Sequence, residues 1–160
     1  MQTVTLSISK KVVYNEIEKT TSYAGQKMAG EDATAYQRMR TVDDDSTQLD
    51  RFWDESKAEF CKQMKGYLVR ENYGIDEATG VTEIEFVLEL SDSFDTVLKE
   101  TMQQDLVSFF VLNIIAKWFT LANKTDAAGY KEAANNMLIG IHKTPCTAND
   151  RQDRHTNVIT

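Results

Sequence analysis

The chain is poor in the residues that divide, staple or metallate a protein. It has one proline, Pro145, in 160 residues, so no proline-rich linker separates domains. Its two cysteines, Cys61 and Cys146, stand far apart and form no CxxC pair, which reads as two free thiols in a reducing compartment. Its two histidines, His142 and His155, can be drawn with Cys146 as three zinc ligands, but the spacing matches no paired-ligand pattern. The N-terminus, MQTVTLSISKK, lacks a basic start followed by an apolar core, so no signal peptide is expected. Basic charge is scarce: 18 Lys and Arg stand against 25 Asp and Glu, a net charge of −7. Phosphate neutralisation needs clustered cations, so an acidic chain of this kind is a poor non-specific binder of nucleic acid.

Catalytic signatures are missing too. There is no GxxxxGK[ST], no GxGxxG after a strand, no HExxH and no GxSxG. Glu16 and Glu18, like Glu83, Glu85 and Glu89, fall on polar faces rather than in convergent acid–base pairs. The acidic run Asp43, Asp44, Asp45 lacks the ligand alternation and closing Glu of a calcium loop, and suits a helix start instead. We therefore expect no catalytic residues, no metal site, no cofactor and no enzyme activity.

What is present is apolar patterning. Residues 2–8 alternate, with Val4, Leu6 and Ile8 on one side, and residues 81–90 alternate likewise, with Ile84, Phe86, Leu88 and Leu90 inward. These two strands are natural partners. Val13, Ile17, Thr21, Ala24 and Met28 mark a helix that Gly30 stops. Residues 31–42 read as a short helix or an ordered loop. Leu49, Trp53, Phe60, Met64 and Leu68 predict a long helix over about 46–72. Ser91-Asp92-Ser93 is the expected cap of the next helix, which runs to about Asn123, and Thr125-Asp126 that of the last, which Pro145 ends. The fold class is mainly α: a bundle of about four helices with a two-stranded antiparallel sheet. One domain is expected over 1–145, followed by a polar C-terminal tail at 146–160 that acts as a partner-binding arm.

The longest apolar run, LVSFFVLNIIAKWFTLA at 106–122, is shorter than the ~20 residues of a bilayer span and is interrupted by Asn113 and Lys117, so it reads as a central buried helix. Asn113, Lys117, Thr120 and Lys124 define its expected solvent stripe. Extended backwards, that stripe meets Leu106 and Phe110. Either the strand pair or the 31–42 segment covers these two, or another subunit does. The second alternative is a subunit interface centred on Leu106 and Phe110.

The segments DDDSTQLDRFWDESKAEFCKQMKGYL, LELSDSF and LVSFFVLNIIAKWFTLANKTDAAGYKEAANNML resemble small virion proteins of tailed bacteriophages and of prophages in gut bacteria. The likeness spans about Thr3 to Pro145, and the layout is similar to the head-completion or neck adaptor (head–tail connector) family. The resemblance implies a structural virion protein that forms a ring beneath the portal and links it to the tail. Its implied partners are further copies of itself, the portal protein and the next neck or tail protein, with DNA passing nearby without specific binding and no membrane contact. It implies localisation in the virion, after assembly in the bacterial cytoplasm. A portal-docking arm would be Lys143 to Thr160, with Pro145, Arg151 and Arg154 as contacts, although this tail is less basic than the family's. Glu83, Glu85 and Glu89, or Asp43, Asp44 and Asp45, are the candidates to face the channel. Alternatives are a tail-completion or stopper protein of the same machine, and a stand-alone helical interaction module.

Overall fold

The computed structural model describes residues 1–76 and 80–156, with the side chains at 73, 75, 76, 80, 81 and 146–156 left aside. The order of elements is β1 (Gln2–Ser9), α1 (Lys10–Met28), α2 (Ala35–Met39), a 3-10 turn (Asp43–Asp45), α3 (Ser46–Gln63), β2 (Leu68–Asp76), β3 (Gly80–Leu90), α4 (Leu98–Ala122) and α5 (Lys124–Thr156). Four long helices and one short one thus accompany a small antiparallel sheet, a mainly helical fold.

The sheet has three strands, not two, in the order β1-β3-β2. The second strand comes from residues expected to finish the long helix over 46–72. α3 stops at Gln63, and the N–H groups of Tyr67 and Leu68 bond back to the Met64 carbonyl to close a turn around Gly66. Gly66 is a poor helix residue, and Leu68, Val69 and Tyr73 suit a pleated surface better. Met64 and Leu68 do face the core, as helical spacing implied, but from a turn and a strand.

β3 pairs β1 with Val4 opposite Leu88, Leu6 opposite Phe86 and Ile8 opposite Ile84, so the inward residues of both strands form one buried face. α3 covers that face through Phe60, whose ring lies 4.6 Å from that of Phe86. Both edges of the sheet are blunted. On the β1 edge, the Gln103 carboxamide accepts from the Ser7 N–H at 2.7 Å and donates to the Ser7 carbonyl, as a neighbouring strand would. On the β2 edge, two register shifts, at Leu68/Arg70 and Gly74/Ile75, break the ladder.

α4 is the axis of the bundle. Its 25 residues extend about 37 Å at ~1.5 Å per residue. By length and composition it is long and apolar enough to cross a membrane, so the shortness of the 106–122 run excludes nothing. Packing within the fold takes up part of its apolarity: Met102, Leu106, Phe109, Phe110, Ile114, Ile115 and Phe119 are all buried, while Val107, Val111 and Leu112 are half-buried and Leu121 is exposed. The helix does not start at a Ser91-Asp92-Ser93 cap. Those residues make a separate turn, and Asp95 leads into α4 by accepting from the Val97 N–H at 3.0 Å.

α2 ties the 31–42 segment to the far end of α4. Trp118 donates its indole N–H to the Met39 carbonyl at 2.6 Å, and Arg38 donates to the Ala122 carbonyl at 3.1 Å, satisfying a helix-end acceptor. α1 and α2 approach closely at Gly25, where a Cβ would stand 2.7 Å from the Tyr36 Cα.

α5 packs antiparallel along α4, with the Phe119 and Tyr130 rings 5.2 Å apart. Pro145 does not end it. The helix continues to Thr156, with Pro145 buried inside it. The proline removes one bond to the carbonyl four residues earlier.

Candidate functional site

Leu106 and Phe110 are both 0% exposed within a single chain. They are therefore not an interface between subunits. Phe110 packs on Trp53 of α3 at 4.8 Å between ring centroids and edge-on to Phe109 at 5.7 Å. The cover over Phe110 thus includes α3, which is neither the strand pair nor the 31–42 segment.

The expected solvent stripe of α4 is also an interior feature at its centre. Asn113 is fully buried, donating to Ser56 Oγ at 2.8 Å and to Glu59 Oε2 at 3.2 Å, and accepting from Lys131 Nζ at 3.4 Å. Lys117 reaches Glu55 at 3.1 Å and Glu59 at 2.9 Å, and Lys131 lies 3.7 Å from Glu59. This network joins α3, α4 and α5. Burial alone would lower the Lys117 pKa, but the Glu59 and Glu55 hydrogen bonds and charges outweigh it and raise it. The Lys117 hydrogen bond in turn holds Glu55 below the usual carboxylate range. Each cation here is matched by carboxylates, so the chemistry is that of a structural clasp. The sequence signal was present but overlooked: Glu55 and Glu59 sit one turn apart on α3 and flank Ser56, which is the mark of a polar contact within a buried stripe.

A second cluster surrounds the start of α1. Tyr14 donates to Asp50 Oδ1 at 2.5 Å, Lys10 Nζ lies 3.2 Å from the same oxygen, and the ammonium sits 5.7 Å from the Trp53 ring centroid. Desolvation, then the Asp50 hydrogen bond, push the Tyr14 phenol well above its ordinary pKa. A phenol that holds its proton so firmly is a poor general base. Cys61 is similar: burial, followed by its hydrogen bond to Glu71 at 2.9 Å, pushes the thiol up to about 12. A thiol in that state is a weak nucleophile at neutral pH.

The acidic candidates lie on two separate elements. Glu83, Glu85 and Glu89 are exposed on the outer face of β3, flanked across the β1 ladder by Ser9, Ser7 and Thr3. They lie on one side of the central strand, with the buried Val87 between Glu85 and Glu89. Asp43, Asp44 and Asp45 form the 3-10 turn ahead of α3, where Asp45 accepts from the Val42 N–H at 2.8 Å. Among the described residues, no group of three or more His, Cys, Asp or Glu side chains is placed to hold a metal ion.

Of the expected docking arm, Pro145 is buried within α5 and is not a free contact. The side chains of Arg151 and Arg154 lie outside the described residues, as do those of Cys146 and His155. His142 sits beside Tyr67, with rings 5.8 Å apart.

The surface feature that sequence reasoning missed is a groove. α1 and α5 flank α4 and leave two adjoining hollows, of about 620 and 560 Å³, that share Leu112 on their floor. Val107, Val111 and Met137 continue the floor and wall in one direction, Ala24, Met28 and Tyr130 in the other.

No family model, curated protein or solved structure matches this chain.

Proposed function

We propose that this chain is a structural virion protein of a tailed bacteriophage, a neck or head–tail adaptor that assembles as a ring and joins the portal to the tail. The reading starts from the resemblance of its segments to that family. The observation that carries it further is the outer face of the sheet. There Glu83 and Glu85 are exposed, with Glu89 beyond the buried Val87, among the hydroxyls of Thr3, Ser7 and Ser9 and with Arg70 opposite Val87 on the neighbouring strand. A surface of this kind repels phosphate, and a channel that passes DNA without gripping it needs such a lining. α5 supplies a second support: its 33 residues extend about 50 Å, against about 37 Å for α4, so its C-terminal turns outreach its partner helix. That projecting end is the docking element in this reading, with Arg151 and Arg154 on it.

The test is to mix the purified chain with the portal ring encoded by the same phage or prophage, then follow co-sedimentation and negative-stain images. Rings of this chain seated on the portal are expected, and so is loss of binding when residues 146–160 are removed. A chain that neither binds the portal nor appears in purified virions would refute the proposal. Binding to a tail component in place of the portal would move it to the tail-completion alternative.

A further inference from the structure

We infer that the α1/α4/α5 groove is filled by α1 of a second copy of this chain, laid antiparallel across a two-fold axis. The sheet is a poor route to self-association, because Gln103 closes one edge and the strand at the other edge is irregular, with two register shifts against β3. The groove is open and its floor is apolar. Tyr23 stands at its lip, 61% exposed, although it is among the largest apolar side chains of α1.

The occupant follows from charge. α1 contributes two charged residues to the groove, Glu16 towards its N-terminal end and Lys27 towards its C-terminal end. They are eleven residues apart (27 − 16), about three helical turns, and so share one stripe. A helix with this pattern complements its own reverse. Antiparallel apposition, centred between Thr20 and Tyr23, sets Glu16 opposite Lys27 of the second copy and Thr20 opposite its Tyr23. Each Tyr23 ring then enters the other copy's hollow beside Leu112. The contact is isologous, so both charge pairs form twice over by symmetry. Glu16 currently holds Lys19 of its own helix at 3.1 Å, an exposed pair worth little and easily exchanged. Asp126 lines the hollow at the Lys27 end and leaves that lysine a second carboxylate to face.

A two-fold contact closes at two copies. It describes the free subunit and does not rest on the neck reading, which concerns assembly on a portal. Light scattering coupled to size exclusion, with sedimentation equilibrium over a concentration series, tests it on the full chain. The wild type is expected at twice the 18.2 kDa of one chain. Tyr23→Asp should be monomeric with an unchanged circular dichroism spectrum, and should melt like the wild type diluted below its dimer dissociation constant, because the side chain is exposed; Tyr23→Ala is a milder second variant expected to weaken the dimer. Glu16→Lys and Lys27→Glu should each weaken dimerisation by about tenfold, since each sets like charges opposite one another. The double variant Glu16→Lys/Lys27→Glu should dimerise more tightly than either single variant, because the swap restores the pairs between copies, though it sets like charges beside Lys19 and Asp126 of its own chain. A wild type that stays monomeric at about 100 µM overturns the inference, that concentration being far above the dissociation constant of a specific micromolar contact. So does a double variant no tighter than the singles, or a dimer or larger assembly that Tyr23→Asp leaves intact.

Discussion

Replacing glycine by alanine inside a helix ordinarily stabilises it by up to about 1 kcal/mol, because alanine loses less backbone freedom on folding. At Gly25 the sign should reverse. A Cβ there would lie 2.7 Å from the Tyr36 Cα, 3.3 Å from the Ala35 carbonyl oxygen and 3.3 Å from the Tyr36 nitrogen. All three are backbone atoms of α2 and cannot swing aside as the end of a flexible side chain would. α2 is itself pinned to α4 by the Trp118–Met39 and Arg38–Ala122 hydrogen bonds, so relieving the clash means prising those contacts. Overpacking of this kind costs about 1–3 kcal/mol, which exceeds the helical gain. The expected net effect of Gly25→Ala is a loss of about 1–2 kcal/mol, or roughly 2–8 °C in Tm for a chain of this size. Gly129 and Gly140 supply internal controls. Both lie inside α5, and an added Cβ meets nothing within 4 Å at either. Gly129→Ala and Gly140→Ala should each gain about 0.4–1 kcal/mol. Urea denaturation followed by circular dichroism measures all three. If Gly25→Ala stabilises the chain as the controls do, the close approach of α1 to α2 is wrong.

Further predictions concern the core, the clasp, the thiol and the sheet face. Phe110→Ala should cost about 3–5 kcal/mol, and Phe110→Glu should unfold the chain rather than yield a folded monomer, because the ring is enclosed within one chain; circular dichroism separates these outcomes. Glu55 has its folded pKa held below the 4.5 of a free glutamate, so its contribution is complete above that pH and fades as the pH falls through the lower folded value. Glu55→Gln should therefore lower stability at pH 7 more than at pH 3, and equal losses at the two pH values in urea titrations would contradict this. In a Cys146→Ser background, Cys61 should react with a disulfide reagent at pH 8 at least about tenfold more slowly than a free thiol, given its pKa of about 12. Converting Glu83, Glu85 and Glu89 together to lysine should create salt-sensitive DNA binding in a gel-shift assay where the wild type shows none; no gain would remove the sheet face from the channel-lining role.

The sequence by itself determined the two strands β1 and β3, the buried stripe of α1 and the fold class, because period-two and helical spacing are local consequences of backbone geometry. Val4, Leu6 and Ile8, and Ile84, Phe86 and Leu88, all point where the alternation put them. It also exposed Glu83, Glu85 and Glu89 as a single face, since alternation places them there without reference to the rest of the chain. Where two local patterns overlap, spacing alone misleads. Met64 and Leu68 are four apart, and both are directed inward, yet a turn at Gly66 separates a helix from a strand. Pro145 shows a similar limit: local rules stop a helix there, whereas a buried position lets α5 run on to Thr156.

Only the tertiary structure decided which faces meet. Asn113 and Lys117 look like solvent residues on an isolated helix, because polarity along one chain segment carries no record of partners elsewhere. Ser56, Glu55 and Glu59, more than fifty residues earlier, draw Asn113 and Lys117 into the interior, while Thr120 and Lys124 stay exposed as expected. Leu106 and Phe110 follow the same logic in reverse: with Trp53 packed on Phe110, an apparent gap in a polar stripe is ordinary core. The groove between α1 and α5 belongs wholly to this level, since its walls come from the two ends of the chain and its floor from α4. The pattern of apolar residues sets how much surface each helix must bury, while the angles and distances between helices set what remains open for another molecule.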